Sequence, residues 1–207
     1  MGDIVGSTSQ NGAQLMMDFK KVIEATNKKL SDYILSPLTV TLGDEFQGVM
    51  MDLLSCLEAM FYLDELVVSL KQEFKIRYSV QYGVIDTPIN EKSAHEMLGK
   101  GLVDARRGLE MLKNKKTRHH LATDDFYLDS MLNGIFQLYD SIYRDWSLRD
   151  KEYLTVFFEN DDYKEVSKKL GKDPSTVWRK RISLKLDQFF VSKSLLRLVA
   201  SNKCSLQ

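Results

Sequence analysis

The sequence predicts an α+β fold: a mostly antiparallel sheet with helices on one face, followed by a small all-α domain. Three observations predict it. Segments of β-type alternation and of helical spacing follow one another as β-α-β-β-α-β-α-β over residues 1–147. Two of the apolar, β-prone stretches end in a glycine–aspartate pair, Gly2-Asp3 and Gly43-Asp44. Beyond Ser147 the pattern is helical only, and it contains a helix-turn-helix in which Gly171 supplies the turn and Pro174 starts the second helix.

Residues 1–5 read as a strand that stops at the turn residue Gly6. Ser7, Thr8 and Ser9 are side chains able to cap the helix that follows, and Leu15, Met16, Phe19, Val22, Ile23 and Leu30 recur at its spacing. Residues 36–41 form a second strand, 42–44 a tight turn and 46–50 a partner strand. Residues 53–70 are a strongly apolar helix. Residues 75–85 alternate, with Ile76, Tyr78, Val80 and Tyr82 on one face. Residues 88–92 are loop, 102–112 helix, 119–123 a short strand and 124–146 a helix leading into the tail. The domain boundary falls near 147–150, which gives units 1–147 and 148–207 without a flexible linker.

The chain has 207 residues, 43% of them hydrophobic and 28% charged, enough to bury a sizeable core. No apolar run approaches the roughly 18 residues that span a bilayer, so no membrane partner is expected. Met1 runs directly into Gly2 and Asp3 without a signal-peptide pattern, and two cysteines, Cys56 and Cys204, suit a reducing cytoplasm. The net charge is zero but unevenly placed. Residues 148–207 hold 13 Lys/Arg and 8 Asp/Glu, and the remainder holds 16 and 21. A basic tail on an acidic body favours an anionic partner for the tail.

Asp3 ends one strand and Asp44 sits in the hairpin between two others. If the hairpin pairs beside the first strand, both carboxylates reach one edge of the sheet. Hard cations such as Mg²⁺ take oxygen ligands, often one or two carboxylates plus substrate phosphates. The backbone N–H groups from Gly6 to Ser9, at a helix start, then offer a phosphate site, and glycine at positions 6 and 43 lets the main chain come close to a ligand. The alternative is structural: Asp3 as a helix cap and Asp44 as a turn residue.

In the tail, Tyr163, Val166 and Leu170 of the first helix and Val177, Ile182 and Leu186 of the second face inward. That leaves Ser175, Thr176, Trp178, Arg179, Lys180 and Arg181 to read double-stranded DNA, with Lys164, Lys168, Lys169 and Lys172 for the flanking phosphates. A protein-docking three-helix unit has the same spacing. His119 and His120 point to opposite faces of a strand and do not form a metal pair.

Gly-Asp-Ile-Val-Gly-Ser, Thr-Leu-Gly-Asp-Glu-Phe-Gln-Gly, Ile76-Arg77-Tyr78, Met97-Leu98-Gly99 with Ala105-Arg106, and the terminal helix-turn-helix together resemble the SatD family over nearly the whole chain. The N-terminal part of that family is similar to class III nucleotide cyclases. The resemblance implies a ferredoxin-like, cyclase-like palm with Asp3 and Asp44 as metal ligands and Arg106 as the group that stabilises the transition state. The cyclase lysine that reads the base is absent from residues 38–41, and no asparagine precedes Arg106. The resemblance also implies several apolar residues before Gly-Asp-Ile, so a further half-strand of about five residues is expected upstream of Met1. The expected function is a DNA-binding regulator whose palm-like domain takes a metal-nucleotide or related phosphate ligand, acting as a homodimer. An active nucleotidyl-transfer enzyme or phosphohydrolase and a ligand-free interaction module are the alternatives.

Overall fold

The computed structural model of the chain describes residues 1–6 and 12–204. Five strands, β1 (Gly2–Val5), β2 (Ile34–Val40), β3 (Glu45–Met50), β4 (Lys75–Gln81) and β5 (His119–Ala122), form a mixed sheet in the order β2-β3-β1-β4-β5. β1 is antiparallel to both of its neighbours, β2 and β3 form an antiparallel hairpin, and β5 lies parallel to β4. Among the described residues eight α-helices accompany the sheet: α1 (Gly12–Lys29), α2 (Leu53–Ser69), α3 (Lys100–Lys113), α4 (Phe126–Asp145), α5 (Lys151–Glu159), α6 (Tyr163–Leu170), α7 (Pro174–Ser183) and α8 (Leu186–Cys204).

The period-two alternation of the strands separates two faces. Ile4, Phe46, Ile76, Tyr78 and Leu121 point into the main core with Phe19 of α1, Phe61 of α2 and Phe136 of α4. Asp3, Glu45, Arg77, Ser79 and His120 alternate with them and point the other way. The sequence predicts helices on one face only. In the structure α3 covers the second face, because glycines allow it to lie close. A Cβ on Gly108 would stand 2.3 Å from Ser79 Oγ and 2.6 Å from His120 Cδ2, and one on Gly83 would stand 2.8 Å from Gly101 Cα.

β4 ends at Gln81, four residues earlier than its alternation suggests, and Tyr82 is 61% exposed rather than inward. Residues 82–99 form a long loop tied to the β2–β3 hairpin: Ala94 N–H donates to Thr39 Oγ1 at 2.9 Å and Ser36 Oγ to the Asn90 carbonyl at 2.5 Å. β1 pairs with β3 only through Gly2↔Phe46 and Asp3↔Glu45. Past that point β3 and β4 flank a largely apolar cavity of about 600 Å³, lined by Met1, Gly48, Met50, Met60, Val80 and others. The Met1 amine donates to the Ser79 carbonyl at 2.8 Å at its edge, and burial lowers that amine to about 6.

The tail packs onto the sheet domain through a core that runs across residue 147. Phe189 of α8 stacks on Tyr139 of α4 at 4.8 Å, and Trp146 Nε1 donates to the Leu184 carbonyl at 3.0 Å. Arg197 of α8 grips Glu58 of α2 through Nε and Nη2, and Lys193 pairs with Glu65. No helix among the described residues is long and apolar enough to cross a membrane.

Candidate functional site

The register of β1 places Asp3 opposite Glu45 on one side and Arg77 on the other, so three charged side chains share one cross-strand row on the α3 face. Arg77 Nε lies 3.0 Å from Asp3 Oδ1. Both atoms are buried, yet neither makes an aligned hydrogen bond, so the contact is one of charge alone. From α3, Arg106 Nη2 donates to Glu45 Oε2 at 3.0 Å. Lys113 Nζ stands 4.0 Å from Glu45 Oε1 and 2.7 Å from Glu110 Oε1. Residues 106, 110 and 113 recur at helical spacing on one face, which is why a single helix delivers all three.

Asp44 enters the same place through its backbone. The Ile4 N–H donates to the Asp44 carbonyl at 3.0 Å, seating the turn against β1, and Gly43 takes the left-handed conformation (φ 72°) that the turn requires. Burial is the main influence on Asp3 and raises its carboxyl to about 6. Arg77 and Lys113 oppose that rise, and the charges of Asp44 and Glu45 add to it. Of the residues read from the sequence as one site, Asp3 and the backbone of Asp44 lie side by side at this end of the sheet, while Arg106 reaches Glu45 rather than either aspartate. Glu45, Arg77 and Lys113 were not identified. Glu45 directly follows Asp44, and a charged Arg77 amid the apolar alternation of β4 was an available signal. Gly6 follows β1 in a positive-φ turn (φ 73°), while Ser7, Thr8 and Ser9 lie outside the described residues. Among the described residues no group of three or more His, Cys, Asp or Glu side chains is arranged to hold a metal ion. The row suits an oxygen-preferring cation such as Mg²⁺ only in part, because Glu45 is turned toward Arg106.

The second group of residues named from the sequence lies on α7. Asp173 caps the helix, its carboxylate accepting from the N–H groups of Ser175 and Thr176 at 2.9 and 3.3 Å. Ser175, Thr176, Trp178 and Arg179 are exposed, with Trp178 leaning on Tyr163 of α6 at 5.1 Å. Lys180 and Arg181 are placed differently. Lys180 turns inward to Asp150 and the Tyr153 ring, and Arg181 is held by Asp187 at 2.7 Å and by the Asp161 carbonyl. Ile182, expected in the core, is 55% exposed. Val177 and Leu186 are fully buried as their spacing suggests. Lys168, Lys169 and Lys172 pair with Glu165, Glu159 and Glu152 at the surface.

A third charged cluster is fully enclosed. Asp64 of α2 accepts from Tyr78 Oη at 2.9 Å, from Tyr139 Oη at 3.1 Å and from Arg118 Nη1 and Nη2 at 3.2 and 3.0 Å. Arg118 Nε reaches Asp140 Oδ1 at 2.6 Å, and its guanidinium lies over the Tyr143 ring at 4.4 Å. Burial, reinforced by Asp64, pushes the Tyr78 and Tyr139 hydroxyls well above their usual range.

Fold and site together define an α+β protein with a charge-paired carboxylate row beneath a helix, joined through one core to a helical tail. The chain belongs to the SatD family, whose family model matches residues 1–193. No curated protein and no solved structure matches it.

Proposed function

We propose that the chain is a DNA-binding regulator whose sheet domain binds a divalent cation together with a nucleotide or a related phosphate ligand. The observation that carries this reading is the row Asp3–Glu45 with Arg106 and Lys113 directly above it. It combines carboxylate oxygens for a hard cation with cationic nitrogens for phosphate. The element order β-α-β-β-α-β and the strand order 2-3-1-4 support a ferredoxin-like, cyclase-like palm, in which β1 and the β2–β3 turn carry the metal-binding aspartates. Mg²⁺ is the cation proposed. The capped α7, with Ser175, Thr176, Trp178 and Arg179 exposed, supports a recognition helix for duplex DNA. A homodimer would present two such helices to a palindromic site.

A thermal-shift screen of nucleotides and cyclic nucleotides, with and without Mg²⁺, tests the first half on wild type and on Asp3→Asn/Asp44→Asn. A Mg²⁺-dependent rise in Tm that the double variant loses is the expected result; no rise with any nucleotide counts against it. Turnover of a nucleoside triphosphate, abolished in Asp44→Asn, would make the protein an enzyme with Arg106 as the charge-stabilising group. For the tail, duplex affinity is expected to fall steeply with salt, with a shallower salt slope in Arg179→Ala. Affinity flat across salt would exclude phosphate-led binding.

A further inference from the structure

The outer face of the α4–α8 pair is apolar and carries no unclaimed charge. The two helices pack along each other in opposite directions, with Phe189 at the start of α8 against Tyr139 and Trp146 at the end of α4. Each helix has one apolar side in the core and a second that is exposed. The second side is Tyr127, Met131 and Leu138 on α4 and Val191, Leu195 and Leu198 on α8, all between 42% and 78% exposed. With Gly134 included, these positions step by four and three along both helices, the spacing at which one helix seams against another. Ile135 and Val199, partly buried beside them, tie both seams to the common core.

The charged residues within 126–141 and 188–201 are all engaged by the chain itself. Asp129 accepts from the Thr123 N–H and hydroxyl, Asp140 from Arg118, Lys193 pairs with Glu65 and Arg197 with Glu58. Ser130, Ser141 and Ser201 donate to carbonyls of their own helices. Gly134 is a second, independent observation. A Cβ there would meet nothing within 4 Å, so packing within the chain gives no reason for a residue that weakens a helix interior. A helix from outside, lying close over the seam, gives one. The six exposed side chains present on the order of 700 Å² of apolar surface, above the roughly 300–600 Å² of an ordinary monomer's largest patch and near the roughly 800 Å² that each partner brings to a stable interface. We propose that this face is the homodimer interface, where a second copy docks about a two-fold axis and the two α4–α8 pairs form a four-helix bundle. A face without free charge meets its own copy without like-charge repulsion, and it has nothing to hold nucleic acid or a charged partner. The inference rests on the homodimer proposed above and gives it a surface. That surface lies across the sheet from α3, so each copy keeps its own carboxylate row.

The test is analytical ultracentrifugation of the whole chain over a wide concentration range. Wild type is expected to sediment as a dimer. Leu138→Glu/Leu195→Glu should raise the dissociation constant at least about a hundredfold, because closing the dimer would bury unpaired carboxylates. Leu138→Lys/Leu195→Lys should do the same. Mixing the two variants should restore association as a heterodimer, since opposite charges then face each other wherever the two-fold axis falls, and a misfolded chain would not recover in this way. Gly134→Arg, which meets nothing in its own chain, is a further variant and should dissociate the dimer while its circular dichroism stays that of wild type. A dimer that survives all three variants would overturn this surface and leave the homodimer standing. Association lost in both charge variants and not restored on mixing would also overturn it. A wild type that is monomeric at every concentration would overturn both the surface and the homodimer.

Discussion

The Asp64–Arg118–Asp140 cluster and the Asp3–Arg77–Glu45–Arg106 row are both built from carboxylates and guanidinium groups within one sheet domain, yet they are finished to different degrees. Asp64 accepts four hydrogen bonds from side chains, including both terminal nitrogens of Arg118, and every one of those partners is buried. Asp3 faces a guanidinium that is close but misaligned, and Glu45 is held by Arg106 and Lys113, whose side chains are 44% and 40% exposed. A buried network whose members are satisfied fixes a core. A buried carboxylate with spare acceptor capacity, facing partly solvated cations, is a place where another ligand can compete. Asp140 Oδ2 lacks a hydrogen bond as Asp3 Oδ1 does, so what separates the two clusters is the full set of buried donors around Asp64 against the partly solvated cations around Glu45.

The comparison is broken most forcefully at Arg118. Arg118→Met leaves Asp64 and Asp140 buried without their cation and is expected to cost about 3–5 kcal/mol, read from urea unfolding. A loss as small as a surface ion pair would mean that the tyrosines alone satisfy Asp64. Gly108→Val should cost about 1–3 kcal/mol, because a side chain there drives α3 away from Ser79 and His120. It should also abolish any ligand-induced rise in Tm, since α3 carries Arg106 and Lys113. A variant of lowered stability that keeps a full ligand response would show that α3 does not form the site.

His119 sharpens the contrast through pH. It is buried between Tyr78 and Phe136, with ring centroids at 5.5 and 4.3 Å, and neither ring nitrogen has a hydrogen-bond partner. Burial holds its pKa well below 6.5, with Arg118 and Arg144 adding to the effect. The unfolded chain therefore binds the proton more readily, and stability from this group is full above about pH 6.5 and falls as the pH drops below it. His119→Phe should flatten that acid limb; an unchanged limb would place its origin elsewhere.

Asp3 has the opposite sign and the smallest expected effect. Its folded pKa of about 6 lies above its unfolded value of 3.8, so its contribution to stability declines as pH rises from about 4 to 6. Asp3→Asn should remove this slope, and its net effect at pH 7.5 should be smaller than that of Arg118→Met, because the cost of ionising a buried carboxyl is relieved while Arg77 loses its charge partner. A loss as large as that of Arg118→Met would make Asp3 a structural group and leave the two clusters equivalent.

Much of this was legible in the residues. The order of alternating and helical segments set the elements around β1 to β5, and the two glycine–aspartate pairs marked the end of the sheet where Asp3 lies beside the β2–β3 turn, with Arg106 reaching the neighbouring Glu45. Val177 was placed in the core from spacing alone, and the start of α7 was placed at Pro174 from the proline, while its Asp173 cap was not foreseen. Other residues were misread for identifiable reasons. Tyr82 continues the alternation of β4, but the strand has already given way to the loop that returns over the hairpin. Lys180 and Arg181 look free on a helical wheel, yet Asp150 and Asp187, 30 and 6 residues away, claim them.

The sequence by itself determined which segments alternate, where glycine permits a turn and which carboxylates stand at strand ends, because these depend on neighbours within a few residues. Only the tertiary structure decided that α3 covers the second face, that Glu45 and Arg77 flank Asp3, and that Asp64 closes onto Arg118. Those outcomes depend on strand register and on close approach at Gly83, Gly101 and Gly108, and both bring together residues that no local spacing relates.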